Sequence, residues 1–579
     1  MPKRPAAAPD APAAPERKPV RVDVLEADLT KLESELVVVE AFEGAKSFGG
    51  VTAAVDKAAG GALSRVLEAG DFKGSFKESL LVHPAKGRAK RVLLVGLGEV
   101  AKLTPDRIRR IAAVVARRAR ELGVKEAHLA LPGVGRPAGE RARGKPVDGG
   151  PSLDPAVAAE AFAEGALLGL YTFDFYKGKA KDPKKEKDKK PDLARLTLVT
   201  RDPEHARAAK EGVVRGAIIA DATNLTRDYA ALSGADAAPE RYAERARALA
   251  AEHGLRVDVF DKRRLEEAGM GGILAVGSGS KNEPRLVVLE HAPRGAKHTV
   301  CLVGKGICFD SGGISIKPSE KMEDMKMDKS GASAVFGAVV AAARLKLPVR
   351  VVAIAPFAEN LPSGTAYKPG DVVRTASGKT IEIVNTDAEG RVILADALHH
   401  AASFEPAAVV EVSTLTGGCI IAVGHHCIAA MGNSEALMEQ LRRAGVATNE
   451  RLWPMPFFEE YGEMVKSKVA DVKNSAGRIA SSITAGKFLE NFVGDHPWVH
   501  LDIASTAWHE GPTPRLNDEY CPEYATGVGT RLFIEWLRHF EPPAWEKKAP
   551  KDSGAPRADG DRRTRNRRQD RAPTRVSTS

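Results

Sequence analysis

The chain has 579 residues, of which 43% are hydrophobic and 28% are charged. This composition is typical of a globular protein long enough for two domains with separate cores. No apolar run approaches the roughly 20 residues of a membrane span. The N-terminus shows no apolar signal stretch, so we expect a cytoplasmic protein that does not act at a membrane. Five cysteines without a C-x-x-C pair argue against a disulfide framework or a cysteine-based zinc site.

The net charge of +10 raises the question of a nucleic-acid partner. The basic residues are concentrated at the ends of the chain. Residues 543–579 contain eleven basic and five acidic side chains, and the first twenty residues contain four and two. The body between them is therefore close to neutral. We interpret both ends as disordered polar tails.

The N-terminal part predicts a small α/β domain at residues 20–200, behind a Pro/Ala-rich disordered tail at 1–19. Short apolar runs predict its strands, and two prolines that follow N-capping residues (Thr104 and Asp154) predict helix starts. Eight lysines lie in the loop 177–190. We interpret this loop as a solvated connection, with a basic contact patch as the alternative.

A larger domain is predicted over residues 201–541, followed by a basic disordered tail at 542–579. Its strands are mostly apolar runs, which is typical of strands buried on both faces. These runs lie at 286–290, 299–304, 350–355, 408–412 and 498–502. Helical patterns separate them, so we expect a doubly wound, mixed α/β sheet flanked by helices.

The segment 385–391, Asn-Thr-Asp-Ala-Glu-Gly-Arg, places two carboxylates and a guanidinium within five residues: Asp387, Glu389 and Arg391. It lies between a predicted strand over 379–384 and a predicted helix. Ligands of open α/β sheets bind outside the carboxyl ends of the strands, which favours a functional site here. The alternative is an acidic helix start that complements the helix dipole.

A second charged segment, residues 305–328, also follows a predicted strand. It contributes two acids and two bases: Asp310, Asp328, Lys305 and Lys317. Carboxylates that converge need a counter-charge, because like charges at close range are costly. Divalent metal ions supply it. Four acids suggest a two-metal hydrolytic site with ions roughly 3.5–4 Å apart. A single-zinc protease site is not indicated, since no H-E-x-x-H motif occurs.

These two segments resemble the signature blocks of the leucyl aminopeptidase family, the dinuclear cytosol aminopeptidases. The Asn-Thr-Asp-Ala-Glu-Gly-Arg-Leu block appears at 385–392, with Val392 in the last place. The Lys-Gly-x-x-Phe-Asp-x-Gly-Gly block appears at 305–313. The resemblance covers about residues 22–541, and it is stronger in the second domain. It implies a metal-dependent enzyme that removes N-terminal, leucine-like residues from peptides.

The resemblance also implies a role for each charged residue. Lys305, Asp310, Asp328 and Glu389 would hold one metal ion, and Asp310, Asp387 and Glu389 the other. The ions would be Mn²⁺ or Zn²⁺. A lysine ligand must be neutral, and nearby metal cations lower the pKa of a lysine.

Two further residues would be catalytic in this resemblance. Lys317 would stabilise the oxyanion, and Arg391 would hold a bicarbonate ion that acts as general base. Six residues would bind substrate, some by side chain and some by backbone: Met325, Thr414, Leu415, Gly417, Ala504 and Ala507. For Met325 and the two alanines, ordinary core packing is the alternative.

The resemblance further implies a homohexamer. Two other hypotheses compete with the enzyme. The basic tails could bind DNA, although they carry one aromatic residue, Trp545, and no recognisable reading motif. A scaffold with an inactive site is the third hypothesis, and the complete set of charged residues argues against it.

Overall fold

The computed structural model describes residues 20–134, 152–177, 191–508, 518–521 and 524–545. The predicted tail at 1–19, nearly all of the lysine-rich loop and residues 546–579 lie outside these ranges. Within the described ranges, no helix is long and apolar enough to cross a membrane.

The first sheet has six strands in the order β1-β6-β5-β2-β4-β3. Its neighbouring strands run parallel except for the antiparallel β3–β4 pair. The strands are β1 (Arg21–Glu26), β2 (Val37–Phe42), β3 (Ser79–Val82), β4 (Val92–Gly98), β5 (Glu126–Ala130) and β6 (Arg195–Thr200). All residues of β4 are buried, as expected for a strand covered on both faces.

Helices cover both faces of this sheet: Gly50–Ala58, Ala62–Ala69, Pro105–Leu122, Pro155–Gly169 and the long helix Pro203–Ala231. The predicted caps are confirmed. Thr104 accepts a hydrogen bond from the backbone N–H of Arg107, and Asp154 accepts from those of Ala156 and Val157. A proline occupies the first helical position in each case, where its missing N–H is not needed.

The main sheet of the second part has nine strands, eight of them in the order β16-β15-β18-β14-β9-β11-β8-β7, with β10 paired to β11. They are β7 (Arg256–Phe260), β8 (Arg285–His291), β9 (Thr299–Gly304), β10 (Gly306–Asp310), β11 (Arg350–Asn360), β14 (Ala408–Ser413), β15 (Ile428–Gly432), β16 (Leu452–Pro454) and β18 (Trp498–Asp502). The central strands β18, β14, β9 and β11 run parallel, and β7, β8 and β15 are antiparallel to their inner neighbours. The predicted mixed α/β fold is confirmed.

Helices pack on both faces of the main sheet. Those of more than one turn are Pro239–His253, Lys262–Glu267, Gly271–Gly277, Ser330–Arg344, Glu389–Ala402, Gly417–Val423, Glu435–Thr448, Ser481–Glu490 and Thr530–Arg538. One apolar core lies on the side of the helix Ser330–Arg344, and the other on the side of the helix Glu389–Ala402. The sheet is therefore buried on both faces.

The strand predicted over 379–384 differs from the observed one. The observed strand, β13 (Thr380–Glu382), has three residues and does not belong to the main sheet. It pairs with β12 (Val372–Arg374) and β17 (Val472–Lys473) in a small side sheet. The pairing with β17 joins chain segments about ninety residues apart, which local sequence patterns do not reveal.

A buried ion cluster joins the two parts of the chain. Glu164, on the helix Pro155–Gly169, accepts hydrogen bonds from Arg109 at 2.7 Å and from Arg531 of the last helix. Burial opposes ionisation of Glu164, but the two guanidinium groups outweigh it and lower the pKa of the carboxyl. Removing one partner of such a cluster leaves uncompensated buried charge.

We therefore expect Glu164→Ala to lower the free energy of unfolding by about 3–5 kcal/mol, because two buried guanidinium groups would lose their carboxylate. Urea denaturation followed by circular dichroism measures the loss. Glu121→Ala is the matched control, since Glu121 pairs with Arg118 at the surface and exposed pairs contribute little. Equal midpoints for the two variants would contradict the structural importance of Glu164.

Candidate metal centre and active site

Charged and polar side chains lie at the carboxyl ends of the parallel strands. Lys305 directly follows β9, Asp310 ends β10 and Thr414 follows β14. Asn360 and Asp502 end β11 and β18. Parallel strands deliver their carboxyl ends to one edge, so residues far apart in sequence meet there.

Three carboxylates form a compact group at this edge. One oxygen from each of Asp310, Asp387 and Glu389 lies within 4.8 Å of the others. Asp310 and Glu389 are buried, and Asp387 is partly exposed. The predicted convergence of the two charged segments is therefore present in the structure.

Two lysines lie among the acids. The ammonium of Lys305 is 2.8 Å from an oxygen of Asp328 and 2.8 Å from one of Glu389. The ammonium of Lys317 is 2.8 Å from Asp310 and 2.5 Å from Asp387. Lys305 is almost fully buried, whereas 22% of the Lys317 side chain is exposed. Asp328 thus joins the group through Lys305.

Polar side chains hold the turn 383–388 against the loop after β10. The hydroxyl of Thr386 donates to the carbonyl of Gly312 at 2.6 Å and accepts from the N–H of Ser315 at 2.8 Å. Asn474 accepts from the N–H of Val384 and donates to the carbonyl of Asn385. These bonds place Asp387 and Glu389 opposite Asp310.

Glycine is required at two close approaches. Gly312 has a φ of +87°, and a Cβ there would lie 2.9 Å from the carboxylate of Asp387. A Cβ at Gly390 would lie 2.6 Å from the side chain of Lys305. The start of the helix Glu389–Ala402 can approach Lys305 this closely only because residue 390 has no side chain.

Burial disfavours the ionised form of these carboxylates and raises the pKa of several of them. It raises the pKa of Asp328 to about 8 and, together with the charges of Asp310 and Glu389, raises that of Asp387 to about 6. Burial and the nearby Glu389 also raise the pKa of Asp310. Burial opposes ionisation of Glu389 as well, but the lysine charges outweigh it and lower its pKa.

On the two lysines, burial and the neighbouring carboxylates act against each other. Burial disfavours the ammonium forms of Lys305 and Lys317. The surrounding carboxylates outweigh burial and raise both pKa values. Four carboxylates face two ammonium groups here, so the cluster is short of positive charge.

The cluster fits divalent metal ions. Glu389 Oε2 is buried and has no hydrogen-bond partner among the described residues. Oxygen donors converge from three residues, and carboxylates are the ligands that hard divalent cations prefer. A divalent cation would bind Glu389 Oε2 and supply the missing positive charge.

Arg391 lies in the first turn of the helix Glu389–Ala402 and is only 6% exposed. Burial lowers the pKa of its guanidinium to about 10, with attraction to Glu389 and Asp502 acting against the shift. Its Nε has no hydrogen-bond partner in the described part of the chain. A buried guanidinium with an unused donor is suited to an anion.

The predicted substrate-binding residues lie on the segments after two central strands and in a short helix. Thr414, Leu415 and Gly417 follow β14, Ala504 and Ala507 follow β18, and Met325 lies in the 3₁₀ helix Met322–Met327. Thr414 contacts the charged group directly, since its hydroxyl donates to Asp328 at 2.7 Å and its carbonyl accepts from Lys305 at 3.1 Å. Met325 packs against the apolar core that contains Ala507.

Several supporting residues were given no role from the sequence. Asn360 donates to Asp310 at 2.8 Å and to the carbonyl of Thr386 at 3.0 Å. Lys329, fully buried beside Asp328, donates to the carbonyl of Leu232. The position of Asn360 at the end of a long apolar strand was the one sequence feature that could have indicated its role.

Comparison with known proteins identifies the family. Residues 224–534 match the catalytic domain of the cytosol aminopeptidase family, and residues 38–144 match its N-terminal domain. The chain is 45% identical to a probable cytosol aminopeptidase of Roseiflexus castenholzii, covering 82% of this chain and 93% of that protein. It is 42% identical to the cytosol aminopeptidase of Pseudomonas aeruginosa, with coverage of 83% and 93%.

A solved structure agrees with this assignment. The bottromycin maturation enzyme BotP in complex with Mn superposes with a TM-score of 0.73 at 36% identity, covering 87% of this chain and 99% of that one. The chain therefore belongs to the cytosol aminopeptidase family. It is a metal-dependent aminopeptidase, a hydrolase, and the predicted resemblance is confirmed.

We expect Asp310→Asn to weaken binding of Mn²⁺ at least tenfold, roughly the effect of disturbing a metal-site residue, because it removes charge from the centre of the carboxylate group. Isothermal titration calorimetry on chelator-treated protein measures the affinity. Asp258→Asn serves as the control, since Asp258 pairs with Arg264 away from the cluster. Unchanged Mn²⁺ affinity in Asp310→Asn would exclude the cluster as the metal centre.

Proposed function

We propose that the chain hydrolyses the N-terminal residue of peptides, with a preference for leucine-like side chains, using two divalent metal ions. The convergence of Asp310, Asp387 and Glu389 within 4.8 Å supports this proposal. Lys305 and Asp328 would complete the ligand set. Mn²⁺ or Zn²⁺ fits these donors, and BotP has been solved in complex with Mn.

Bound metal ions would polarise the scissile carbonyl and make water nucleophilic at neutral pH. Lys305 would have to give up its proton to act as a ligand. Metal charge favours this loss, because nearby cations lower the pKa of an ammonium group. A free α-amino group on the substrate would be required for binding, which limits cleavage to the first residue.

Lys317 is suited to stabilise the oxyanion. Its ammonium lies between Asp310 and Asp387, and the side chain is partly exposed. A fixed donor aimed at developing negative charge is stronger in a water-poor site than in solution. Lys317 would therefore donate to the carbonyl oxygen as charge develops there.

Arg391 would hold bicarbonate, which would act as the general base. The unused Nε and the low exposure of Arg391 support an anion at this place. A bound base that accepts a proton from the attacking water and returns one to the leaving amine typically contributes 10²–10⁴-fold.

Small and apolar side chains that line the substrate pocket would set the preference for the side chain of the peptide's first residue. Ala504 and Ala507 are buried, and Met325 is partly exposed. Leu415 and Gly417 would present backbone groups to the peptide. A pocket with such walls accepts an aliphatic side chain without burying an unsatisfied polar group.

We also propose a cytoplasmic homohexamer. Several large apolar side chains are exposed on the single chain: Ile421, Trp453, Phe458, Val469 and Ile479. The family resemblance is the main support for the hexamer, because exposed apolar residues mark an interface only where they form a contiguous patch. Light scattering of the full chain tests the assembly, and a monomeric mass would contradict it. DNA binding rests on the charge of the tails, and residues 1–19 and 546–579, which carry that charge, lie outside the described residues.

The purified protein should release p-nitroaniline from leucine p-nitroanilide in the presence of Mn²⁺ or Zn²⁺. Chelation should abolish turnover, and re-addition of metal should restore it. Asp387→Ala should be inactive, because it removes one of the three converging carboxylates. N-acetyl-leucine p-nitroanilide is the matched control and should not be cleaved, since its amine is blocked. Turnover that survives both Asp387→Ala and chelation would refute the metal mechanism.

Arg391→Ala should lower kcat by about 10²–10⁴-fold, the typical contribution of a general base. The same variant should lose any stimulation of activity by added bicarbonate. Steady-state kinetics in bicarbonate-depleted and bicarbonate-supplemented buffer measures both effects. A variant that responds to bicarbonate as the wild type does would show that the anion binds elsewhere.

A further inference from the structure

Asp502 is a fully buried carboxylate beside the candidate active site to which neither the sequence analysis nor the proposed mechanism gives a role. It ends β18 opposite Ser413 of β14. It forms no ion pair with a cation in the described ranges, although its charge acts on the nearby Arg391. Burial of a charge without a paired cation is costly unless hydrogen bonds satisfy it.

Three hydrogen bonds satisfy Asp502. Its Oδ1 accepts from the backbone N–H of Leu415 at 3.1 Å and from that of Ala504 at 3.2 Å. Its Oδ2 accepts from the hydroxyl of Thr416 at 2.6 Å. Hydrogen bonds to an ionised acceptor are roughly twice as strong as neutral ones.

The donors come from two different loops. Leu415 and Thr416 belong to the loop after β14, and Ala504 begins the turn after β18. Thr416 also bonds with Ser482 at 2.6 Å, at the start of the helix Ser481–Glu490, and caps the helix Gly417–Val423 by accepting from Cys419 N–H. One carboxylate thus holds both loops, next to the backbone bond from Ile503 N–H to the carbonyl of Ser413.

These loops carry five of the six proposed substrate-binding residues: Thr414, Leu415, Gly417, Ala504 and Ala507. We propose that Asp502 is a positioning residue that sets the width of the pocket for the substrate's first side chain, and so its preference for leucine over smaller residues. This inference rests on the proposed aminopeptidase function. Asp502 would act through the loops and would not touch the substrate.

The test compares kcat/KM for leucine and alanine p-nitroanilides. Asp502→Ala should lower the leucine-to-alanine ratio by about tenfold, the equivalent of roughly one lost hydrogen bond, chiefly through a higher KM for the leucine substrate. Mn²⁺ affinity should stay at the wild-type value, because Asp502 is not among the metal ligands. Asp502→Asn should retain most of the ratio, since its amide oxygen can still accept from Leu415 and Ala504.

Asp396→Ala is the matched control. Asp396, in the middle of the helix Glu389–Ala402, is also fully buried. It also accepts backbone hydrogen bonds, from Ile273 at 3.0 Å and from Ala376 at 2.8 Å. Its replacement should lower stability and leave the leucine-to-alanine ratio unchanged. If Asp502→Ala does not fold, Thr416→Val is the second variant. It removes one of the three bonds to Asp502, together with the bonds of Thr416 to Ser482 and to Cys419 N–H, and should lower the ratio by a smaller factor.

The outcomes separate this inference from the function on which it rests. A wild-type protein without aminopeptidase turnover would overturn both. If the wild type is active and Asp502→Ala has the same leucine-to-alanine ratio, only the role of Asp502 is overturned. Where Asp502→Ala does not fold, an unchanged ratio in Thr416→Val has the same meaning. An equal fall in Asp396→Ala would show a general loss of stability and would also overturn it.

Discussion

The structure around the candidate active site depends on a balance of buried charge. Four carboxylates meet two lysines and lie close to a third cation, Arg391, at the carboxyl edge of the main sheet. The acids cannot all be ionised there without additional positive charge. This shortage of positive charge is the physical basis of the proposed metal centre.

The mixed sheet makes such a concentration of charge possible. Parallel strands bring Lys305, Asp310 and Thr414 to the same edge, while the apolar cores on both faces hold the strands in place. Glycines at 312 and 390 let the backbone come close enough for the side chains to meet. The stability of the cores thus supports an arrangement of charges that would be unfavourable by itself.

The sequence predicted much of the fold and of the candidate site for identifiable reasons. Buried parallel strands are long apolar runs, and the charged segments adjoin predicted strands, so the convergence of Asp310, Asp387 and Glu389 could be expected. The place of β13 in a side sheet could not, because its partner Val472–Lys473 is distant in the chain. Isolated polar residues such as Asn360 show no periodic pattern, and their role appears only when the strands are assembled.

The location of the metal ions is the central claim, and anomalous diffraction tests it most directly. Crystals of the full chain grown with Mn²⁺ would be measured near the manganese absorption edge. Two anomalous peaks roughly 3.5–4 Å apart, among Asp310, Asp387 and Glu389, are the expected result. Manganese bound elsewhere in a catalytically active crystal form, with no peak at these carboxylates, would contradict the claim.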